Sequence, residues 1–217
     1  MSYKIVFIDE EKEQQEWFEE YFDSHKKDET SIISIFPGAS MEDMICTLDE
    51  QHPDAIIADF LLNEIKEDIK HNVPYNGVDL VQTYQYRRPE FPCFILTSKD
   101  EDALNESSDV NMVYVKGFLK NEKGNTTVSF YDRVIRQIAA YRERLDRAQS
   151  EVDELIEKRR SGQMTIQDNN KLVELDDFIE RSLDRESSIP ADMKSTENID
   201  KLSSMVAKLD ELLAKLD

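Results

Sequence analysis

Residues 53–64 read PDAIIADFLLNE, and this stretch decides the fold. From Ala55 to Leu62 the run is apolar except for a single carboxylate, Asp59. A short, almost unbroken apolar run is typical of a strand that is buried on both faces, as in a parallel sheet. An unpaired charge in such a strand is costly, so Asp59 requires an explanation in terms of function.

Four other short runs rich in valine, isoleucine and phenylalanine predict further strands. They are KIVFI at 4–8, SIISIF at 31–36, CFILT at 93–97 and MVYVK at 112–116. Segments whose apolar residues recur at helical spacing lie between these runs. This alternation predicts an α/β fold in which helices cover both faces of a parallel sheet. Ligands of such sheets bind outside the carboxyl ends of the strands.

Polar residues stand at the carboxyl ends of four predicted strands. They are Asp9 and Glu10 after the first, Asp59 at the third, Thr97 at the fourth and Lys116 at the fifth. Three carboxylates at one edge repel each other unless a cation lies among them, and a compact set of oxygen ligands suits Mg²⁺. A carboxylate beside a lysine and a threonine can attack a phosphoryl group, whose charge these groups then share. The pattern predicts that Asp59 is a phospho-acceptor.

Within residues 3–126, the fragment KIVFIDEE…HPDAIIADFLL…NGVDLV…CFILTSKDEDAL…VYVKGF resembles the receiver domain of two-component response regulators. The resemblance implies a flavodoxin-like, doubly wound, five-stranded parallel sheet and phosphorylation by a histidine kinase. The site that it implies consists of Asp59 as acceptor with Thr97 and Lys116, and of Asp9, Glu10, Asp59 and the backbone carbonyl of Leu61 as ligands of Mg²⁺.

Three positions depart from the family pattern. Glu10 replaces the usual aspartate, Gly117 replaces the proline that usually follows the lysine, and Val113 replaces an aromatic residue. Tyr114, next to Val113, is expected to face the opposite side of the strand. These departures favour a second interpretation, a pseudo-receiver scaffold with the same fold, no phosphotransfer and constitutive helical pairing. A phosphate-relay shuttle without further output is a third.

An enzymatic function is not expected beyond self-phosphorylation from small donors and slow autodephosphorylation. Haloacid dehalogenase-like phosphatases carry a second aspartate two residues after the nucleophile, whereas this chain has Leu61 there, which can neither donate a proton nor activate water.

Residues 63–77 form an insertion beside the predicted site. A surface insertion is the simpler interpretation, and a lid is the alternative.

The last third of the chain has the periodicity of paired helices. No glycine or proline interrupts 126–161, which predicts that the last receiver helix continues as one rod. Its apolar seam is Ile138, Tyr141, Leu145, Ala148, Val152 and Leu155; a second seam is Leu172, Leu175, Phe178, Ile179 and Leu183; a third is Ile199, Leu202, Val206, Leu209, Leu213 and Leu216. The predicted organisation is a receiver at 1–126, an extended helix at 127–161 and a helical hairpin or coiled-coil module at 162–217.

These seams have two possible packings, since isolated heptads of this length are marginal alone. They pair within the chain as a hairpin or bundle, or they pair with another chain. The interpretation favoured by the sequence is pairing between chains, most simply a homodimer, with a downstream protein partner that reads the helices.

The composition narrows the class of partner. The chain of 217 residues has 47 acidic and 27 basic side chains and a formal net charge of -20, and residues 1–126 hold most of the excess. Nucleic-acid affinity depends mainly on Lys and Arg, so direct binding of nucleic acid is not expected.

No apolar stretch suits a membrane span or signal peptide, and Cys46 and Cys93 have no metal-binding spacing. We expect a cytoplasmic protein.

Overall fold

The computed structural model describes residues 2–26, 29–63, 73–98, 110–120, 128–190 and 193–194. Five strands form one sheet: β1 (Tyr3–Ile8), β2 (Thr30–Ile35), β3 (Ala55–Asp59), β4 (Cys93–Thr97) and β5 (Val113–Val115). Their order is β2-β1-β3-β4-β5 and every neighbouring pair is parallel. This is the flavodoxin-like doubly wound order, so the predicted fold is confirmed.

Helices connect and follow the strands. In the described ranges they are α1 (Lys12–His25), α2 (Met41–Gln51), α3 (Gly77–Arg87), α4 (Lys116–Lys120), α5 (Phe130–Arg160) and α6 (Ile166–Asp184), with a short 3-10 turn at Val110–Met112. Within those ranges no helix is long and apolar enough to cross a membrane.

Each face of the sheet has its own apolar core. Val6 and Ile8 of β1 pack in the cluster that contains residues of α2 and α3. Ile5 and Phe7, their neighbours in sequence, pack in the other cluster with residues of α1 and the start of α5. This division follows from the strand itself, because successive side chains point to opposite faces.

The long predicted rod is one continuous helix. α5 begins at Phe130, and the preceding Ser129 exchanges hydrogen bonds with Asp132: the Asp132 N–H donates to Ser129 Oγ at 3.1 Å, and the Ser129 N–H donates to Asp132 Oδ2 at 3.1 Å. This reciprocal cap satisfies amide groups that a helix leaves unpaired at its first turn. With 31 residues α5 is about 46 Å long at 1.5 Å per residue.

The chain divides into two compact units. Residues 1–86 and 90–141 form the first, which contains the sheet, and 87–89 with 142–217 form the second. The division lies inside α5.

In the second unit α5 and α6 pair as an antiparallel helical hairpin. Contacts between them include Glu151 Oε2 to Lys171 Nζ at 2.9 Å, Lys158 Nζ to Asp168 Oδ1 at 3.4 Å, and the Arg144 guanidinium 5.0 Å from the centre of the Phe178 ring. The partner of an earlier α5 residue is a later α6 residue, which is the signature of antiparallel packing. The structure therefore pairs the first and second seams within the chain, whereas the sequence slightly favoured pairing between chains. A homodimer stays a prediction.

The turn between α5 and α6 is formed by residues whose chemistry suits the end of one helix and the start of the next. Gly162 has a φ of 69°, a left-handed conformation that glycine adopts without the penalty of a Cβ. Thr165 and Asp168 form a complete capping box at the start of α6. Leu183, which belongs to the predicted second seam, is 64% exposed in the chain, and the neighbouring Ser182 is buried. The third seam, 199–216, lies outside the described residues.

Candidate functional site

Four buried polar side chains stand at the carboxyl edge of the sheet. Asp9 follows β1, Asp59 ends β3, Thr97 ends β4, and Lys116 follows β5 as the first residue of α4. Each is at most 7% exposed. The register pairs Asp59 with Leu96 of β4, so Thr97 ends the strand that lies between Asp59 and Lys116. Because all strands are parallel, their ends meet at one edge, as the sequence predicted.

The ammonium group of Lys116 bridges the two aspartates. Its Nζ lies 2.7 Å from Asp59 Oδ1 and 3.0 Å from Asp9 Oδ2. Both distances are those of charge-assisted hydrogen bonds, and all three side chains are buried. Asp59, the predicted phospho-acceptor, is therefore paired with the ammonium group of Lys116.

Backbone groups hold the two remaining carboxylate oxygens. The N–H of Glu11 donates to Asp9 Oδ1 at 2.8 Å, and the N–H of Leu61 donates to Asp59 Oδ2 at 2.7 Å. With Lys116, every oxygen of these two carboxylates has a donor. Their orientations are thus fixed by the fold, because a buried acceptor without a donor is costly.

The edge carries more negative than positive charge. Asp9, Glu10 and Asp59 are all buried at this edge, as is Lys116, whose ammonium group contacts the two aspartates. Burial raises the pKa of Asp9 to about 6; the attraction of Lys116 opposes this increase and the nearby Asp59 adds to it. For Lys116, burial lowers the pKa, but the attraction of Asp59 and Asp9 outweighs it and the pKa is raised. The lysine therefore stays charged at neutral pH.

The donor set has the chemistry that a hard cation prefers. Oxygen ligands at a buried, net negative edge suit Mg²⁺, and a bound cation would neutralise the excess charge. In the described part of the chain, however, no group of three or more acidic, histidine or cysteine side chains is gathered as a metal site. Lys116 lies between two of the predicted ligands. Coordination by Glu10 and by the Leu61 carbonyl stays a prediction.

Gly77 allows the first residue of α3 to lie close to the backbone of Asp59. Its N–H donates to the carbonyl of Phe60 at 2.9 Å, and a Cβ at this position would lie 2.0 Å from the carbonyl oxygen of Asp59. No larger residue fits without a backbone shift. The sequence interpretation gave this glycine no role. Its signal was the turn dipeptide Asn76-Gly77 with Asp79 three residues after Asn76, and these two polar residues cap α3 in the structure.

Gln15 is a second residue that the sequence interpretation missed. Its side chain is 7% exposed, and its Nε2 donates to the backbone carbonyl of Asp9 at 2.8 Å. The signal was a polar residue on an apolar helix face, since Gln15 precedes Phe18 and Phe22 by three and seven positions.

The structure shows how the residues that depart from the family pattern are placed. Val113 packs against the cluster on one face of the sheet and Tyr114 against the cluster on the other, as expected for neighbours in a strand. The Tyr114 ring lies 4.8 Å from that of Phe130. The peptide bond before Gly117 is trans, like all those of the described residues. Most of the 63–77 insertion, at 64–72, lies outside the described residues.

No protein-family model and no curated protein matches the sequence. Solved structures do resemble the chain. The anti-anti-sigma factor PhyR from Bartonella quintana is 15% identical over 68% of this chain, with a TM-score of 0.38, and the match covers 51% of PhyR, about half its length. The BeF3-activated receiver domain of Klebsiella pneumoniae RstA is 17% identical over 52% of this chain and 85% of its own, with a TM-score of 0.35.

A third similar structure is RcsB from Salmonella enterica serovar Typhimurium, bound to promoter DNA in the presence of the phosphate mimic BeF3−. It is 12% identical over 83% of this chain and 91% of its own, with a TM-score of 0.40. These three similar structures are thus two response regulators and an anti-anti-sigma factor. The expectation that this chain does not bind nucleic acid directly stays a prediction.

Proposed function

We propose that this chain is a response-regulator-type signalling protein that a histidine kinase phosphorylates on Asp59. The observation that supports it best is the contact of Lys116 Nζ with Asp59 Oδ1 at 2.7 Å inside a buried edge of a parallel sheet. A lysine held against a buried carboxylate is placed to share the charge of a phosphoryl group that this carboxylate accepts.

The proposed phosphoryl transfer from the kinase to Asp59 forms one bond and breaks one. A carboxylate oxygen of Asp59 attacks the phosphorus of a phosphohistidine, the new O–P bond forms, the P–N bond breaks, and the leaving imidazole takes a proton. Lys116 and the hydroxyl of Thr97 donate to the transferred oxygens. Mg²⁺, held by Asp9, Glu10, Asp59 and the carbonyl of Leu61, supplies further positive charge when bound. Leu61 cannot activate water, so we propose slow autodephosphorylation and no turnover of phosphate esters.

The proposed output is protein contact through the C-terminal helices. Phe130, Val134 and Ile138 of α5 are buried in the sheet unit, and the same helix continues as one arm of the hairpin. A few kcal/mol of altered contact at the sheet shifts a two-state helix arrangement by one to two orders of magnitude. A downstream protein, or a second copy of the chain, reads that change in the cytoplasm.

One observation favours the alternative of a pseudo-receiver scaffold. Lys116 already neutralises Asp9 and Asp59 without a metal. In that case the edge is a structural ion-pair cluster, and the helices pair constitutively.

Binding of a phosphate mimic separates the two functions. A titration of the protein with BeF3− in the presence and absence of Mg²⁺, followed through the fluorescence of Trp17 and by calorimetry, is expected to show saturable, Mg²⁺-dependent binding. Asp59→Asn removes the oxygen that bonds to beryllium and serves as the control. Equal, metal-independent responses in both proteins favour the scaffold.

A further inference from the structure

We infer that residues 199–216 dock as a helix on an apolar stripe along one side of the α5–α6 hairpin, so that three helices pack within one chain. The inference goes beyond the proposed function, because it does not depend on whether Asp59 accepts a phosphoryl group. The stripe consists of one row from each helix: Leu145, Val152 and Ile156 of α5, and Leu172, Ile179 and Leu183 of α6.

The position of the stripe follows from the contacts that join the two helices. On α5 these contacts are made by Arg144 and Glu151, and on α6 by Phe178 and Lys171. The residue after each of these four is apolar, and it is turned by about 100° around its helix. In an antiparallel pair, the same rotation on both helices leads to the same side of the hairpin. The two rows therefore form one apolar surface beside the line of contact.

The hairpin covers this stripe only in part. Val152 is 7% exposed, whereas Leu145 and Ile156, which belong to the same row, are half-buried. The α6 row is half-buried or, at Leu183, exposed, and of the described residues of α6 Ser182 alone is buried. An apolar row that continues over three turns of a helix usually faces another element. A third helix along this side would complete the burial of both rows.

The described chain returns to this side of the hairpin after α6. Lys194 Nζ lies 2.6 Å from Asp176 Oδ2 and 2.7 Å from Glu180 Oε2. Asp176 lies four residues after Leu172 and three before Ile179, so it borders the stripe on the same face of α6. The Lys194 side chain is only 11% exposed, which shows that the chain is held against α6 at this point. The residues after Lys194 therefore start beside the stripe.

The length and the width of the third seam match the stripe. Residues 195–198 reach at most about 14 Å, and 199–216 form about 27 Å of helix, against about 28 Å for the 19 residues of α6. With Ile199 at heptad position a, Met205 and Leu212 occupy position g and widen the apolar face beyond a and d. A face of this width suits a helix that packs against two others, whereas a strict a and d seam suits a two-stranded coiled coil.

The short tether favours this segment over a second copy of the chain as the occupant. Only residues 195–198 separate Lys194 from the seam, and a short linker holds a docking segment at an effective concentration on the order of millimolar. A second copy in dilute solution competes poorly with such a segment. The chain itself then covers the stripe, and a downstream protein reaches it only by displacing residues 199–216.

Hydrogen exchange of the full chain, measured by mass spectrometry, compares Leu209→Asp with Ala207→Asp. Both changes replace an apolar side chain by the same charge, but Leu209 lies on the apolar face and Ala207 on the opposite face of the same helix. In the unsubstituted protein, the amides of 199–216 are expected to exchange at least about tenfold more slowly than those of a synthetic peptide of residues 195–217. Leu209→Asp is expected to abolish this protection and to speed exchange at 172–183 by about tenfold, and Ala207→Asp to change both by less than about threefold.

Dilution separates the two possible occupants. Protection of 199–216 that stays constant on dilution, while sedimentation reports the mass, supports docking within the chain. Protection that is lost on dilution together with a dimer assigns the stripe to a second copy and overturns the inference. Three other results also overturn it: an unprotected 199–216 segment in the unsubstituted protein, equal effects of the two variants, or loss of protection at 199–216 with unchanged exchange at 172–183. All of these leave the proposed phosphorylation of Asp59 standing.

Discussion

At the scale of the residue, the negative charge of Asp9 is costly because its side chain is buried. Burial raises its pKa from the ordinary 3.8 of an aspartate to about 6 in the folded protein. Between these values the folded protein binds more protons than the unfolded chain does. The free energy of unfolding therefore falls as the pH rises from about 4 to about 6, and the full penalty is present above that range.

Asp9→Asn is expected to stabilise the metal-free protein at pH 8 by about 3 kcal/mol, since about two pKa units are removed at about 1.4 kcal/mol each. The gain should shrink toward zero near pH 4. Urea unfolding in EDTA at several pH values measures it, with Asp23→Asn on the exposed face of α1 as the control. A gain that does not depend on pH, or a loss at pH 8, contradicts the assignment of the penalty to Asp9.

Gly77 and Gly117 form a matched pair of glycines at the site. A Cβ on Gly77 would lie 2.0 Å from the Asp59 carbonyl oxygen, whereas a Cβ on Gly117 would meet its nearest neighbour, Val115 Cγ1, at 3.9 Å. Gly77→Ala is expected to cost about 1–3 kcal/mol, as overpacking does, and to weaken BeF3− binding. Gly117→Ala is expected to be neutral or to stabilise α4 by up to about 1 kcal/mol. Denaturant unfolding compares them, and equal effects would show that the close approach at Gly77 does not constrain the site.

The sequence predicted where the site residues lie more fully than how they interact. Asp59, Thr97 and Lys116 stand at strand ends, and strand ends in a parallel sheet meet, so their proximity followed from topology. The bridge from Lys116 to both aspartates depends on a side-chain path that no spacing specifies. Gln15 and Gly77 were missed because their importance lies in contacts with backbone carbonyls, which a side-chain pattern does not display.

At the scale of the element, the strands were predictable because burial on both faces leaves almost continuous apolar runs. The helices α5 and α6 were predictable from their heptad seams and from the lack of glycine and proline at 126–161. Their pairing was not, because an apolar seam specifies that a partner is needed and not which chain supplies it. The ion pairs that select the antiparallel hairpin, such as that between Glu151 and Lys171, appear only when the two helices are set side by side.

The hairpin gives a prediction for α5 alone. Val152 is 7% exposed, whereas Gln149, on the same helix, is exposed. Val152→Asp places a charge at a buried position and is expected to cost several kcal/mol, while Gln149→Asp is expected to be near neutral. Hydrogen exchange of the amides at 142–184 measures the loss of packing. Equal protection in the two variants would mean that the seam of α5 contributes little.

At the scale of the whole molecule, the two compact units predict where the chain can be cut. Phe130, Tyr131, Val134 and Ile138 are buried with the sheet and lie beyond the boundary at 126 that the sequence suggested. Burial of each such side chain contributes about 1.5–3 kcal/mol. A fragment of residues 1–141 is expected to fold and bind BeF3−, and a fragment of residues 1–126 is expected to be unfolded. Circular dichroism of both fragments measures this, and a folded 1–126 fragment supports the proposed domain boundary instead.

The central claim is that Asp59 accepts a phosphoryl group, and intact-mass spectrometry tests it most directly. The full chain is incubated with a small acyl-phosphate donor and Mg²⁺, beside Asp59→Asn treated in the same way. The expected result is a single added phosphoryl group on the unsubstituted protein, dependent on Mg²⁺ and absent from the variant. Labelling of both proteins would place the acceptor elsewhere, and labelling of neither would contradict the receiver function.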